Sequence, residues 1–166
     1  MKTFNTYINE WKLTNDSKNK VHNKKVVLNF DELSIIVFER YAENPLYIDL
    51  RDIDVSNIKS FAEEQPISPY YTGLFAAFRK VEVIDITGWN ISNAESLACM
   101  FWSCQRLETI YGIEKLDVSN VKNFNGMFQD CHKLKCDLNN WKVHRANISD
   151  IFDGCDSLTL PNWFKH

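Results

Sequence analysis

The feature that most constrains this chain is an internal repeat with a period of 24 to 27 residues. Four phenylalanines are each followed three residues later by Phe or Cys and six residues later by Val or Leu; they are Phe75, Phe101, Phe128 and Phe152. Upstream lie DVSNI at 54–58, NISNA at 90–94 and DVSNV at 117–121, whereas KVHRA at 142–146 lacks the Ser-Asn pair. Such a period predicts units that stack and bury their apolar faces against one another.

Each unit begins with a short alternating run, namely IDL at 48–50, IDI at 84–86, YGI at 111–113 and CDL at 136–138. Alternation of this kind predicts a strand with one buried face. In the third unit, Val121, Phe124, Met127 and Phe128 follow at a spacing typical of a helix. Ser119 or Asn120 would cap that helix. The sequence therefore predicts about four strand–helix units.

The ends of the chain depart from the repeat and are expected to cap it. We expect residues 1–46 to form an N-terminal helical cap and residues 47–158 to form the repeats. Residues 159–166 are expected to form a C-terminal cap. Within the first cap, residues 29–44 predict an amphipathic helix, with a buried strand at 34–39 as the competing interpretation. The expected N-cap of this helix is Asn29 or Asp31. Its apolar stripe is Leu33, Ile36, Val37 and Tyr41, widened by Ile35 and Phe38. At the other end of the chain, Leu160, Trp163 and Phe164 are expected to cover the core.

The first unit carries an insertion at 62–73 with the segment AEEQPISPYYTG. Insertions between stacked repeats map to loops on one face, often a binding face. Tyr70 and Tyr71 are large amphipathic side chains that interfaces favour, so they are candidate partner-binding residues. The alternative is that both tyrosines fold back and fill a gap over the core.

Three segments resemble the repeats of BspA-like leucine-rich-repeat proteins: GWNISNAESLACMFWSCQRL at 88–107, DVSNVKNFNGMFQDCHKL at 117–134 and NNWKVHRANISDIFDGCDSL at 139–158. The resemblance implies an α/β repeat, a short leucine-rich-repeat-like right-handed solenoid of about four strand–helix units. The start, YINEWKLTNDS, is similar to that of short, signal-less members from gut bacteria and their phages. The family's implied role is surface adhesion.

Composition excludes several classes of protein. A net charge of −3 without a strong basic face argues against nucleic-acid binding. No apolar run is long enough to span a membrane, and the first residues lack a signal peptide. We therefore expect a cytoplasmic protein, with a virion or cell surface as the alternative location. Composition does not predict the oligomeric state.

The cysteines and histidines offer no catalytic pattern. Cys104, Cys131 and Cys155 share one repeat position, which favours a column of buried thiols. Zinc held by cysteine pairs, a disulfide and a reactive thiol are the less favoured alternatives. His132 follows Cys131, but its position varies between the units. No enzyme activity, metal or cofactor is expected.

The remaining candidates for partner binding are an aspartate row and one tryptophan. Asp49, Asp85 and Asp137 share a strand position, where the third unit carries Gly112; a solvated row is the plain interpretation. Trp102 replaces small or polar residues of the other units, which favours an exposed contact site over burial beneath the insertion. Trp89 and Trp141 are expected to pack within the repeat.

These observations favour a non-catalytic protein-binding module that acts through the strand face, Trp102 or the Tyr70–Tyr71 loop. A phage or mobile-element origin would make a host protein the partner. The alternative hypothesis is a structural or adhesive protein of a virion or cell surface.

Overall fold

The computed structural model describes residues 24–64 and 71–164. This part contains one α-helix, α1 (Phe30–Glu43), and seven strands of two or three residues each. The strands are β1 (Lys25–Val26), β2 (Tyr47–Asp49), β3 (Ile53–Asp54), β4 (Ala62–Glu64), β5 (Tyr71–Gly73), β6 (Val83–Asp85) and β7 (Thr109–Tyr111). A 3-10 helix spans Ile113–Lys115, and turns make up most of the rest.

The helix confirms the prediction over residues 29–44. Asn29 is the N-cap, because its side-chain oxygen accepts a hydrogen bond from the Glu32 amide at 2.9 Å. Leu33, Ile36 and Val37 form the buried stripe, and Tyr41 packs against the core. Ile35 and Phe38 are exposed, so the expectation that they widen this stripe is wrong.

Three parallel strands form the largest sheet, in the order β2, β6, β7. Ile48, Ile84 and Ile110 lie next to one another in register and point into the core. The third strand therefore begins two residues before the expected run at 111–113 and pairs one residue out of the expected register. The run at 136–138 is not a strand. Two smaller sheets pair β1 with β3 in parallel and β4 with β5 in antiparallel orientation.

The segments predicted as helices are chains of tight turns. Hydrogen bonds from Val121 N to Val118 O and from Met127 N to Phe124 O each close a three-residue step. Residues in the left-handed region, such as Cys99 at φ 52° and Asp130 at φ 60°, turn the backbone away from a helical path. The units contain no α-helix, since the only one in residues 24–64 and 71–164 is α1.

These observations correct the expected fold class. The chain is built mostly from short strands and turns with a single helix outside the repeats. The prediction of an α/β repeat, a leucine-rich-repeat-like right-handed solenoid of strand–helix units, is therefore wrong. The domain boundaries at 46 and 158 stay predictions.

Residues at equivalent repeat positions nevertheless lie side by side in the core. The rings of Phe75 and Phe101 stack with centroids 5.1 Å apart, and Phe101 and Phe128 follow at 5.5 Å. Phe128 and Phe152 continue the column at 5.9 Å. Single parallel bridges join successive units at Ser60, Ser96, Asn123 and Asn147. The period seen in the sequence therefore sets which residues meet.

Three tryptophans make the same contact at equivalent positions of the repeat. The indole N–H of Trp89 donates to Leu50 O at 2.9 Å, that of Trp141 to Ile113 O at 3.0 Å, and that of Trp163 to Leu138 O at 2.7 Å. The expected packing of Trp89 and Trp141 is confirmed, since both are buried.

The C-terminal cover is only partly as expected. Phe152 contacts both Trp163, at 5.8 Å between ring centroids, and Phe164, at 5.1 Å. Leu160 is 45% exposed, so its predicted role in covering the core is wrong. Over residues 24–64 and 71–164, no helix combines the length and the apolar character needed to cross a membrane.

Candidate functional site

The aspartates of the predicted row are each followed by the same local turn. Asp49 Oδ1 accepts a hydrogen bond from the Arg51 amide at 3.1 Å, and Asp85 Oδ1 accepts one from the Thr87 amide at 2.9 Å. Asp137 repeats this bond with the Asn139 amide at 2.9 Å. A short carboxylate side chain that binds the amide two residues later favours a turn. The recurrence of aspartate therefore has a structural cause.

A cluster of charged and aromatic side chains lies on the outer face of the sheet at β2, β6 and β7. The sheet-face site, as we name it, consists of Tyr47, Asp49, Arg51, Asp85 and Tyr111. Asp49 lies beside Asp85, and Asp85 lies beside Tyr111, in the parallel register. Gly112, which the sequence placed in this row, lies one residue beyond it.

Arg51 links the two aspartates. Its guanidinium donates to Asp49 from Nε at 3.0 Å and from Nη2 at 2.8 Å, and its Nε lies 3.5 Å from Asp85 Oδ2. The Tyr47 hydroxyl donates to the same Asp85 oxygen at 3.4 Å. Asp85 is only 4% exposed, so the expectation of a solvated aspartate row is wrong at its centre, although Asp137 is exposed. The two-pronged contact fixes Arg51 against the sheet.

Burial and charge act in opposite directions on Asp49. Burial alone would raise the pKa of its carboxyl group, but the hydrogen bonds and positive charge of Arg51 outweigh burial and lower that pKa. Burial, followed by the negative charges of Asp49 and Asp85, raises the pKa of Tyr47. At neutral pH the site thus holds an ionised Asp49 and a neutral Tyr47.

The outer face of the sheet is buried at β6 and exposed to solvent at β7. Val83 and Asp85 point outwards yet are buried, whereas Tyr111 is 43% exposed. Parallel sheets are normally covered on both faces, so an open aromatic position is unusual. Sequence reasoning did not identify Tyr47, Arg51 or Tyr111, although the alternation in TIY at 109–111 was a usable signal.

Of the other predicted contact residues, Trp102 and Tyr71 are described, and neither belongs to this site. Trp102 is 38% exposed and lies in a turn, where its carbonyl oxygen accepts a hydrogen bond from the Ala77 amide at 2.7 Å. Tyr70 lies outside the described residues. Tyr71 contributes backbone to β5, opposite Glu64 of β4, and the insertion thus begins and ends in a two-stranded antiparallel sheet.

The shared cysteine position holds hydrogen-bonded thiols. Cys104 Sγ donates to Phe75 O at 3.0 Å, and Cys155 Sγ donates to Phe128 O at 3.0 Å. Burial raises the pKa of both thiols to about 12. Burial also raises the pKa of Cys131, whose side chain is fully buried. Cys155, by contrast, is partly exposed. The thiols are protonated at neutral pH, which disfavours the thiolate needed by the zinc and reactive-thiol hypotheses.

Comparison with known proteins gives one family match. A family model described as "Mycoplasma protein of unknown function, DUF285" matches residues 71–164, which is more than half of the chain. No curated protein and no solved structure matches the chain. The match is to this family and gives no support for a BspA-like leucine-rich-repeat protein, so the resemblance inferred from the sequence is wrong.

Proposed function

Because this chain belongs to the DUF285 family, whose function is unknown, we propose a function from the geometry: a non-catalytic protein-binding module that contacts its partner through the sheet-face site. The observation that carries the proposal is the exposure of Tyr111 beside the buried outer face of β6. A partner that covers Tyr111 would complete the burial of this face.

The chemistry of the site supports protein binding. Tyrosine and arginine are enriched among the residues that dominate binding energy in protein interfaces. A tyrosine side chain buries a large area and loses little conformational entropy on binding, because it has only two rotatable bonds. Tyr111 offers such an anchor, and the partly exposed pair of Arg51 and Asp49 lies on the same sheet face, two strands away.

The site is also held in one arrangement before any partner arrives. Arg51 makes two hydrogen bonds to Asp49 and lies within ion-pair distance of Asp85. Its side chain therefore has little freedom left to lose on association. Such preorganisation increases affinity, because ordering a long side chain in an interface costs about 0.5–1.5 kcal/mol.

Affinity capture with surface variants tests this proposal. The immobilised chain would be incubated with a lysate of its source organism, and bound proteins would be identified by mass spectrometry. Tyr111→Ala should lose a protein that the wild type and Trp102→Ala both retain. Trp102→Ala is the matched control, because it also truncates a part-exposed aromatic side chain but on a turn outside the sheet.

The variants must first be shown to fold, by circular dichroism and by an unchanged unfolding midpoint. Capture of the same proteins by the wild type and Tyr111→Ala, at equal yield, would contradict the proposal. Loss of capture with Trp102→Ala but not with Tyr111→Ala would place the contact on the turn side instead.

A further inference from the structure

Successive units are joined by a ladder of backbone hydrogen bonds with a fixed direction. In this ladder each unit donates from alternate amides, and the next unit along the chain accepts. The donors of the second unit are Leu97, Cys99, Phe101 and Ser103, and their acceptors are the carbonyl oxygens of Asn123, Asn125, Met127 and Gln129. The third unit repeats the pattern from Phe124, Gly126, Phe128 and Asp130 to Asn147, Ser149, Ile151 and Asp153.

The last unit has the donors but no acceptors. Its equivalent amides are those of Ile148, Asp150, Phe152 and Gly154. Within residues 24–64 and 71–164, none of these four amides donates a hydrogen bond to a protein group. We name this row the open amide edge. Trp163 repeats the tryptophan contact of the earlier units but leaves the row without acceptors.

The open amide edge borders a groove of about 310 Å³. Leu160 and Phe164 line one part of it, and Asp150 and Asp153 line another. In the part of the chain that the structure describes, neither of these aspartates forms a salt bridge.

These features select one kind of ligand. A row of amides requires acceptors, and either an anion or the carbonyl groups of a peptide would supply them. The carboxylates of Asp150 and Asp153 repel an anion but attract lysine or arginine side chains. An unpaired backbone edge can accept a strand from another chain, with hydrogen bonds providing affinity and side chains specificity.

We propose that the open amide edge binds a basic segment of a partner protein that adopts the turn conformation of a repeat unit. The segment's carbonyl oxygens accept from Ile148, Asp150, Phe152 and Gly154, and its basic side chains pair with Asp150 and Asp153. Its apolar side chains lie against Leu160 and Phe164. This site is separate from the sheet-face site, and the inference does not rest on the proposed function.

Hydrogen exchange measured by NMR tests the premise. The four amides of the open edge should exchange with solvent much faster than those of Leu97, Cys99, Phe101 and Ser103, which hold equivalent positions inside the stack. Equal protection of the two sets in the free protein would show that the edge already has a partner, and would overturn the inference.

A defined peptide probe tests binding. The acceptor segment 119–130 of this chain already presents carbonyl groups at the required spacing. In the repeat register, its residue Gln129 would lie over Asp153. We would therefore titrate the labelled full chain with a blocked 119–129 peptide that carries Gln129→Lys, and with its Gln129→Glu counterpart as the matched control.

The lysine peptide should shift the four edge amides in a saturable manner, and the glutamate peptide should bind at least several-fold more weakly. The double variant Asp150→Asn, Asp153→Asn should weaken binding of the lysine peptide about three- to tenfold. Asparagine is chosen because it tolerates the left-handed backbone of Asp150, at φ 55°. The control variant Asp156→Asn should leave binding unchanged. The carboxylate that it removes pairs with His132.

Two results would overturn the inference. One is the absence of shifts at the edge amides at millimolar peptide concentrations. The other is equal binding of the lysine and glutamate peptides. Tyr111→Ala should bind the lysine peptide as the wild type does, so failure here and failure of the sheet-face proposal are distinguishable.

Discussion

The thiol of Cys131 donates a hydrogen bond to the backbone carbonyl oxygen of Phe101, with 3.1 Å between Sγ and O. Cys104 makes the same bond to Phe75, and Cys155 makes it to Phe128. Each bond joins one unit to the preceding one. Only a protonated thiol can donate, so the stack is stabilised by the neutral form of these cysteines.

This column predicts a loss of stability at high pH. Burial raises the pKa of Cys104 and Cys155 to about 12, whereas an unfolded cysteine has a pKa of about 8.5. Their contribution is therefore complete below about pH 8.5 and is lost as pH rises towards 12, because only the unfolded chain ionises in that window. Urea unfolding at pH 7.5 and 10.5 should show a lower free energy of unfolding at pH 10.5.

The single variant Cys104→Ala provides the control for that decrease. It removes one of the contributing thiols, so the difference between the two pH values should become smaller. The absolute stability of the variant does not enter this comparison. An unchanged pH difference would show that other groups cause the alkaline effect.

The cysteine column was predictable from the sequence, whereas the turns around it were not. The equal spacing of Cys104, Cys131 and Cys155 from the repeat phenylalanines places them together in any stack of such units. The spacing of Phe124 and Met127 fits a helix and a chain of three-residue turns equally well. The left-handed residue Asp130 decides between them, and a single sequence does not reveal such a conformation at a non-glycine residue.

The candidate site was predictable only in part, for a related reason. The repeat period correctly places Asp49 beside Asp85, because both precede the same turn of successive units. Arg51 occurs in one unit only, so no periodic signal identifies it. Tyr111 pairs with Asp85 in the sheet, whereas the alignment of the units put Gly112, one residue later, at that position.

Two adjacent residues should respond very differently to truncation. Phe101 is fully buried between Phe75 and Phe128, so Phe101→Ala removes a ring from the middle of the stack. We expect it to lower the free energy of unfolding by about 3–5 kcal/mol. Trp102→Ala should cost about 1 kcal/mol or less, because that side chain is part-exposed. Chemical denaturation followed by circular dichroism measures both, and similar losses would contradict the stacking argument.

Arg51→Gln should raise the pKa of Asp49. In the folded chain Arg51 lowers that pKa, so ionised Asp49 contributes stability above its unfolded pKa, and this stability is lost as pH falls through the lower folded value. Glutamine keeps hydrogen-bond donors but removes the charge, so burial gains weight and the folded pKa of Asp49 rises. The stability that ionised Asp49 contributes above its unfolded pKa therefore becomes smaller. A carbon-detected NMR titration of the Asp49 carboxyl group measures the shift.

Asp117 serves as the internal reference for this titration, because hydrogen bonds from Ser119 are the main cause that lowers its pKa, and no arginine takes part. Its titration should be unaffected by the change at Arg51. If Asp49 titrates identically in the wild type and in Arg51→Gln, the guanidinium does not control its ionisation.

Two glycines with similar backbone angles should differ in their tolerance of alanine. Gly112 has φ 90° and Gly88 has φ 82°, both in the left-handed region. A Cβ on Gly112 would lie 2.7 Å from Thr87 Cα, whereas the nearest atom to a Cβ on Gly88 is Lys24 Nζ at 3.4 Å. Gly88→Ala should therefore cost about 1 kcal/mol from the backbone angle alone. Gly112→Ala should cost about 2–4 kcal/mol, because the backbone at Thr87 must also move. Urea unfolding of both variants measures the two losses in free energy of unfolding, and their difference reports the close approach of two successive units at Gly112. Equal losses would mean that the units separate easily at this position.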